Sequence, residues 1–97
     1  MEKVIVEVGS TNTKFDLWDG KKIKHIGTES IDFKRNYKKQ NKLDNEDVKK
    51  LISKVNEYKK TYSDIYVCGT SIFRNLTEEQ RNEFLTFFSN ETGINFN

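Results

Sequence analysis

The sequence predicts an α/β domain: a mixed sheet with helices packed on it, in the order β-β-β-α-β-α with a fifth strand just beginning. Three observations predict it. Two stretches near the start alternate apolar and polar residues with a period of two, and each is followed by a turn signal. Residues 45–60 and 77–92 carry apolar side chains at helical spacing. Between these helices lies a short apolar run, Asp64-Ile-Tyr-Val-Cys68, of strand length.

The first strand spans residues 3–8, with Val4, Val6 and Val8 on one face and Lys3, Ile5 and Glu7 on the other. Residues 13–18 repeat the alternation, with Phe15 and Leu17 opposed to Lys14, Asp16 and Trp18. Asp19-Gly20 is a two-residue hairpin signal, because both central positions of such a turn favour φ > 0. A third strand then runs from Ile23 to about Ile31, completing an antiparallel meander over residues 3–31. Residues 34–42, KRNYKKQNK, hold five basic residues and no acidic one, and read as a solvated loop or as a basic lip that attracts anions. Asp44 caps the helix over 45–60, where Leu43 and Val48 form a hydrophobic staple and Val48, Leu51, Ile52, Val55 and Tyr58 share one face. The strand at 64–68 follows a helix long enough for a crossover and therefore runs parallel to the first strand. Thr77 and Gln80 form a capping box for the helix over 77–92, which carries Phe84, Leu85, Phe87 and Phe88 and stops at Gly93. Ile94-Asn-Phe-Asn97 reads as a fifth strand cut short, as in a segment of a longer protein.

Composition bounds the rest. The 97 residues suit one small domain, and 34% hydrophobic against 33% charged residues is polar for a globule. Val, Ile, Leu and Phe supply 26 residues in periodic clusters, however, which marks a folded core rather than a disordered chain. A net charge of +2, with 14 Lys against 3 Arg, argues against a nucleic-acid binder. The single Cys68 and the absence of a leader or long apolar run predict a cytoplasmic protein without a membrane partner.

One stretch can carry chemistry. In Glu7-Val-Gly-Ser-Thr-Asn12 a strand ends in Gly9, Ser10, Thr11 and Asn12. A turn of this kind offers backbone N–H groups and hydroxyls to an anion, glycine permits close approach, and Glu7 can hold Mg²⁺ directly or through water. The same composition is ordinary for a hairpin, so the residues alone leave both readings open. No helix follows and no Gly-Lys-Thr is present, which excludes a P-loop. A second segment, Val67-Cys-Gly-Thr-Ser-Ile-Phe-Arg-Asn75, places Thr70 and Ser71 after a strand end, with Arg74 able to fork a phosphate oxygen or to pair with Glu78 or Glu79. His25 lies mid-strand, where a satisfied structural role is expected, and Cys68 reads as a buried, inert thiol. Trp18 reads equally as packed or exposed.

Together these segments resemble a known family. VEVGSTNTKFDLWDG resembles the first phosphate motif of the actin-like ATPases. VCGTSIFRN, followed by EFLTFFSNETGINFN, is similar to the Ala-Thr-Ser-Ala-x-Arg segment and following helix of the Ppx/GppA exopolyphosphatase and guanosine pentaphosphate phosphohydrolase family. The resemblance implies a ribonuclease-H-like fold, with residues 1–97 as the N-terminal subdomain of one lobe. It implies phosphoanhydride hydrolysis with Mg²⁺ in a cleft between two lobes, acting on polyphosphate or another phosphate compound. It places Gly9, Ser10, Thr11, Asn12, Thr70, Ser71 and Arg74 at phosphate, and Glu7 at the metal, where the family has Asp. It also implies that the family's general-base glutamate and second phosphate motif lie beyond these residues, so this chain alone is expected to bind rather than turn over. Its partners would then be the second lobe or the remainder of the chain, with self-association through the unfinished sheet edge as another. Two other readings remain open. One is a non-catalytic interaction module that kept the fold. The other is an actin-like kinase or activator ATPase, since GSTNTK is similar to the GSTTTK of 2-hydroxyacyl-CoA dehydratase activators; those need cluster cysteines that this chain lacks.

Overall fold

A computed structural model describes residues 2–97. Its elements are β1 (Lys3–Val8), β2 (Thr13–Trp18), β3 (Ile23–Glu29), α1 (Phe33–Gln40), α2 (Asn45–Lys59), β4 (Ile65–Gly69), α3 (Ser71–Arg74) and α4 (Glu78–Thr92). The sheet order is β3-β2-β1-β4. β1 pairs antiparallel with β2, and β2 with β3, while β4 lies parallel to β1 on its other side. The expected fifth strand is present as a single parallel bridge, Val67 to Phe96, extended by Asn97 N–H to Val67 C=O at 3.0 Å. This is the mixed α/β sheet that the sequence predicts.

One face of the sheet is dry. Val4, Val6, Val8, Phe15 and Val67 are fully buried there, beneath Leu51 and Val55 of α2 and Phe88 of α4. Phe15 stacks on Tyr58 at 4.5 Å between ring centroids, and Phe96 meets Phe73, Phe84 and Phe88 at 4.9, 4.8 and 5.3 Å. Each fully buried side chain of this size contributes about 1.5–3 kcal/mol by leaving water, so this face holds the domain together. The opposite face leaves Ile23, Trp18 and Tyr66 exposed, and Trp18 thereby proves only partly covered, at 39% exposure. No helix among the described residues is long and apolar enough to cross a membrane.

The helix ends follow the side-chain signals. Asp44 Oδ2 accepts from the Asp47 amide, and Thr77 and Gln80 exchange both bonds of the capping box. Gly93 closes α4 in the left-handed region at φ 71°. The helices are shorter than expected by a residue, at Lys60 and at Thr77, each of which is a cap. The second strand pair departs from expectation. Its loop is four residues, Asp19–Lys22, and only Gly20 has positive φ. The Asp19 amide donates to Lys22 C=O at 3.2 Å, and Asp19 Oδ1 accepts from the amides of Lys21 and Lys22, both at 2.9 Å, so a side chain reinforces the backbone turn. Those bonds also hold the Asp19 carboxyl below its ordinary range. β3 stops at Glu29, and Ile31 turns into the core from the connection that follows.

Residues 34–42 are not a loop for most of their length: Phe33–Gln40 is a helix. Asp32 caps it by accepting from the Arg35 amide at 3.0 Å, and Phe33 and Tyr37, one turn apart, face the core. Lys and Arg are good helix formers, and Lys38 and Lys39 sit favourably at the negative end of the helix dipole. The short helix α3 was also not expected.

Candidate phosphate-binding site

The β1–β2 turn is built on one close approach. The Gly9 amide donates to the Asn12 carbonyl at 2.8 Å. A Cβ on Gly9 would lie 2.8 Å from that same oxygen, so any side chain there would press the turn open. Gly9 therefore spends its N–H inside the turn and serves its shape. The amides of Ser10, Thr11 and Asn12 have no acceptor among the described residues and remain available to an anion. The turn is anchored from outside as well, because Ser10 C=O accepts from the Lys34 amide in the first turn of α1 at 2.9 Å.

The second segment lies beside it. β1 and β4 run parallel with Val8 opposite Gly69, so both strands end at the same edge of the sheet. Thr70 ties the two ends together: its amide and its Oγ1 both donate to Val8 C=O, at 3.0 and 3.2 Å. The Thr70 hydroxyl thus acts as a strap. Ser71 opens α3 on the exposed side with its hydroxyl unengaged among the described residues. Arg74 is exposed, and no carboxylate lies within ion-pair distance of it among the described residues, so neither Glu78 nor Glu79 takes it up. Open α/β sheets place ligands where adjacent parallel strands end, and both segments sit there.

Glu7 is exposed on the outer face, two residues before Gly9, opposite Lys14 on β2 and Cys68 on β4. No cluster of three His, Cys, Asp or Glu side chains exists among the described residues. A single carboxylate suits Mg²⁺, which keeps several waters and takes its other oxygens from phosphate, and suits a transition metal poorly. Cys68 is half-buried rather than buried. Burial, and then the Glu7 charge, push its thiol above the usual range, which favours the protonated form over the thiolate. His25 is exposed and held by Asp16 Oδ1 and Thr28 Oγ1, both at 2.9 Å, away from the β1 and β4 ends. Its role is the satisfied, structural one.

Three contributors escape sequence reasoning. The Lys34 amide steadies Ser10. Thr13, directly after the turn, is fully buried, and its Oγ1 has no partner among the described residues. Arg81 lines the same cavity as Arg74. Only the first of these had a signal, in the Asp32 cap and the Phe33–Tyr37 spacing.

No family model and no curated protein matches the chain. Solved structures do. A Ppx/GppA phosphatase of Aquifex aeolicus aligns over 99% of this chain with a TM-score of 0.77 and 19% identity. An exopolyphosphatase from Cytophaga hutchinsonii aligns over 99% with a TM-score of 0.75 and 8% identity. An exopolyphosphatase-like protein aligns over 98% with a TM-score of 0.68 and 14% identity. The chain spans about a third of the length of these structures, 34%, 33% and 31% respectively. At such identities the likeness is one of backbone architecture, and it matches the topology reached from the strands and helices above. The chain has the fold of the N-terminal part of the Ppx/GppA phosphatases.

Proposed function

We propose that these residues form one wall of the phosphate site of a Ppx/GppA-type phosphohydrolase, acting on the phosphoanhydride bonds of polyphosphate or guanosine pentaphosphate. The observation that carries this reading is the strap at Val8 C=O, which accepts from both the amide and the hydroxyl of Thr70. It brings a turn with three unspent amides alongside a segment with an unpaired arginine.

In this reading the amides of Ser10, Thr11 and Asn12 hold phosphoryl oxygens, and Arg74 forks a neighbouring one. Gly9 and Thr70 keep the two arms in place. Glu7 would hold Mg²⁺, which supplies charge neutralisation on the phosphoryl group when bound. Hydrolysis also requires a base that orients the attacking water; among the described residues the one imidazole, His25, is held by Asp16 and Thr28, and Glu7 is assigned to the metal. The 97 residues therefore bind phosphate and do not hydrolyse it at a useful rate.

The test is an amide NMR titration with inorganic phosphate and tripolyphosphate, with and without Mg²⁺. Ser10, Thr11 and Asn12 shift together with the Arg74 side chain, and Mg²⁺ enhances the response near Glu7. Shifts confined to the lysines of α1, or robust phosphate release by this chain alone, would overturn the reading. The exposed Trp18, Ile23 and Tyr66 favour a second reading, an interaction module that binds through the outer sheet face or the β4 edge. Concentration-dependent sedimentation with no phosphate response would select it.

A further inference from the structure

Beyond the end of β4, between α3 and α4, lies a half-open cavity of about 390 Å³, within the range of small organic ligands. Its floor is aromatic: Phe73 and Phe84 meet Phe96 at 4.9 and 4.8 Å, and Leu85 extends the apolar surface. That floor rests on bare backbone, since a Cβ on Gly69 would lie 2.7 Å from the Phe96 ring and 2.8 Å from Phe73. Two arginines, Arg74 and Arg81, line the same cavity. No Asp or Glu side chain lines it, and neither arginine has a carboxylate within ion-pair distance among the described residues. Arg81 Nη2 donates to Leu76 C=O at 3.4 Å, which leaves most of its five donors unspent.

An apolar floor with two unpaired arginines and no acidic side chain is complementary to one kind of molecule. A bare phosphate would leave the half-exposed Phe96 and Leu85 uncovered. An uncharged hydrocarbon would leave two guanidinium groups without counter-charge beside a partly dry surface. We propose that the cavity binds an organic oxyanion with a planar apolar body, which lies on Phe96 and Leu85, backed by the buried Phe73 and Phe84, while Arg74 and Arg81 grip its carboxylate or phosphate. The site shares Thr70 and Arg74 with the phosphate wall proposed above and does not depend on that wall being correct.

Four probes test it by calorimetry and side-chain NMR on the 97-residue chain: 1-naphthoate, 1-naphthyl phosphate, uncharged 1-naphthalenemethanol and inorganic phosphate. The two naphthyl anions shift Phe96, Leu85 and the Arg81 Nε–H. At least one binds tenfold or more tighter than 1-naphthalenemethanol, and which one is tighter tells carboxylate from phosphate. Arg81→Gln, on an exposed position, weakens that binding about tenfold, and Arg81→Lys restores part of it. Leu85→Glu, which brings an acid to the rim, abolishes it. Equal affinity for the charged and uncharged naphthyl probes overturns the proposal, as does an unchanged affinity in Arg81→Gln. Naphthyl anions that move only the Ser10–Asn12 amides overturn the cavity and uphold the phosphate wall. Cavity binding with no response of those amides to inorganic phosphate does the reverse.

Discussion

Replacing Thr13 by Val should stabilise the domain. Thr13 is 0% exposed, stands opposite Val8 and Glu29 in the sheet, and lies on the dry face with Phe15. Its Oγ1 has no hydrogen-bond partner among the described residues. A buried hydroxyl without a partner costs about 1–3 kcal/mol of desolvation. Valine has the same branched shape, suits a strand equally well and removes that cost. A gain of about 1–2 kcal/mol follows, and for a domain of this size each kcal/mol moves Tm by about 4–8 °C. Urea denaturation with an unchanged m-value gives the free energy, and a thermal melt gives the shift. A loss of stability in Thr13→Val would refute the reasoning, because the hydroxyl would then be making a bond that the fold needs. The amides of Ser10, Thr11 and Asn12 provide a control, since their chemical shifts should barely move if the turn keeps its shape.

The other predictions concern the core, a helix end and the thiol. Leu51→Ala empties a fully buried position on α2 and should cost about 2–5 kcal/mol, a large share of the stability of a small domain; a urea midpoint that barely moves would contradict it. Thr77→Ala removes the capping bond that Thr77 Oγ1 accepts from the Gln80 amide at 3.1 Å, while the residue-77 amide keeps its bond to Gln80 Oε1; the change should cost about 1 kcal/mol, with faster amide exchange in the first turn of α4 as its signature. The fold favours the neutral form of Cys68 through burial first and the Glu7 charge second. Stability from this group is therefore complete below the unfolded thiol's pKa and is lost as pH rises through the higher folded value. Iodoacetamide should accordingly modify the native protein with a midpoint above that of the chain in urea, and Glu7→Gln should bring the two closer. A native midpoint at or below the unfolded one would be the contrary result.

How much was legible differs between elements. The alternation at Val4, Val6 and Val8 and the helical spacing of Val48, Leu51 and Val55 each bury what their period says they should. Such signals survive because hydrophobic burial acts on whole faces, and a face is written in the local sequence. α1 was hidden for the opposite reason. Only Phe33 and Tyr37 mark its inner side, among lysines and asparagines that serve a loop equally well. Its first turn is steadied by Ser10, more than twenty residues away, a contact that no local pattern records. The hairpin at Asp19-Gly20 forms as its signal says, but its loop runs over Asp19–Lys22, closed by the Asp19 amide on Lys22 C=O and by the Asp19 carboxylate on two amides, a sharing that the dipeptide alone does not record.

By itself the sequence determined the strands, the two long helices with their caps, the parallel placement of the fourth strand, and the turn and Thr70–Arg74 segment as the places worth watching. These follow from periodicity, capping side chains and chain connectivity, which are properties of neighbours. Only the tertiary structure decided that the Gly9 amide is consumed inside its own turn, that Thr70 straps two strand ends together, that Thr13 is buried without a partner, and that Arg81 shares a cavity with Arg74. Each of these depends on how a hydrogen-bonding or charged group is shared between segments that meet only when the sheet and helices close over one core.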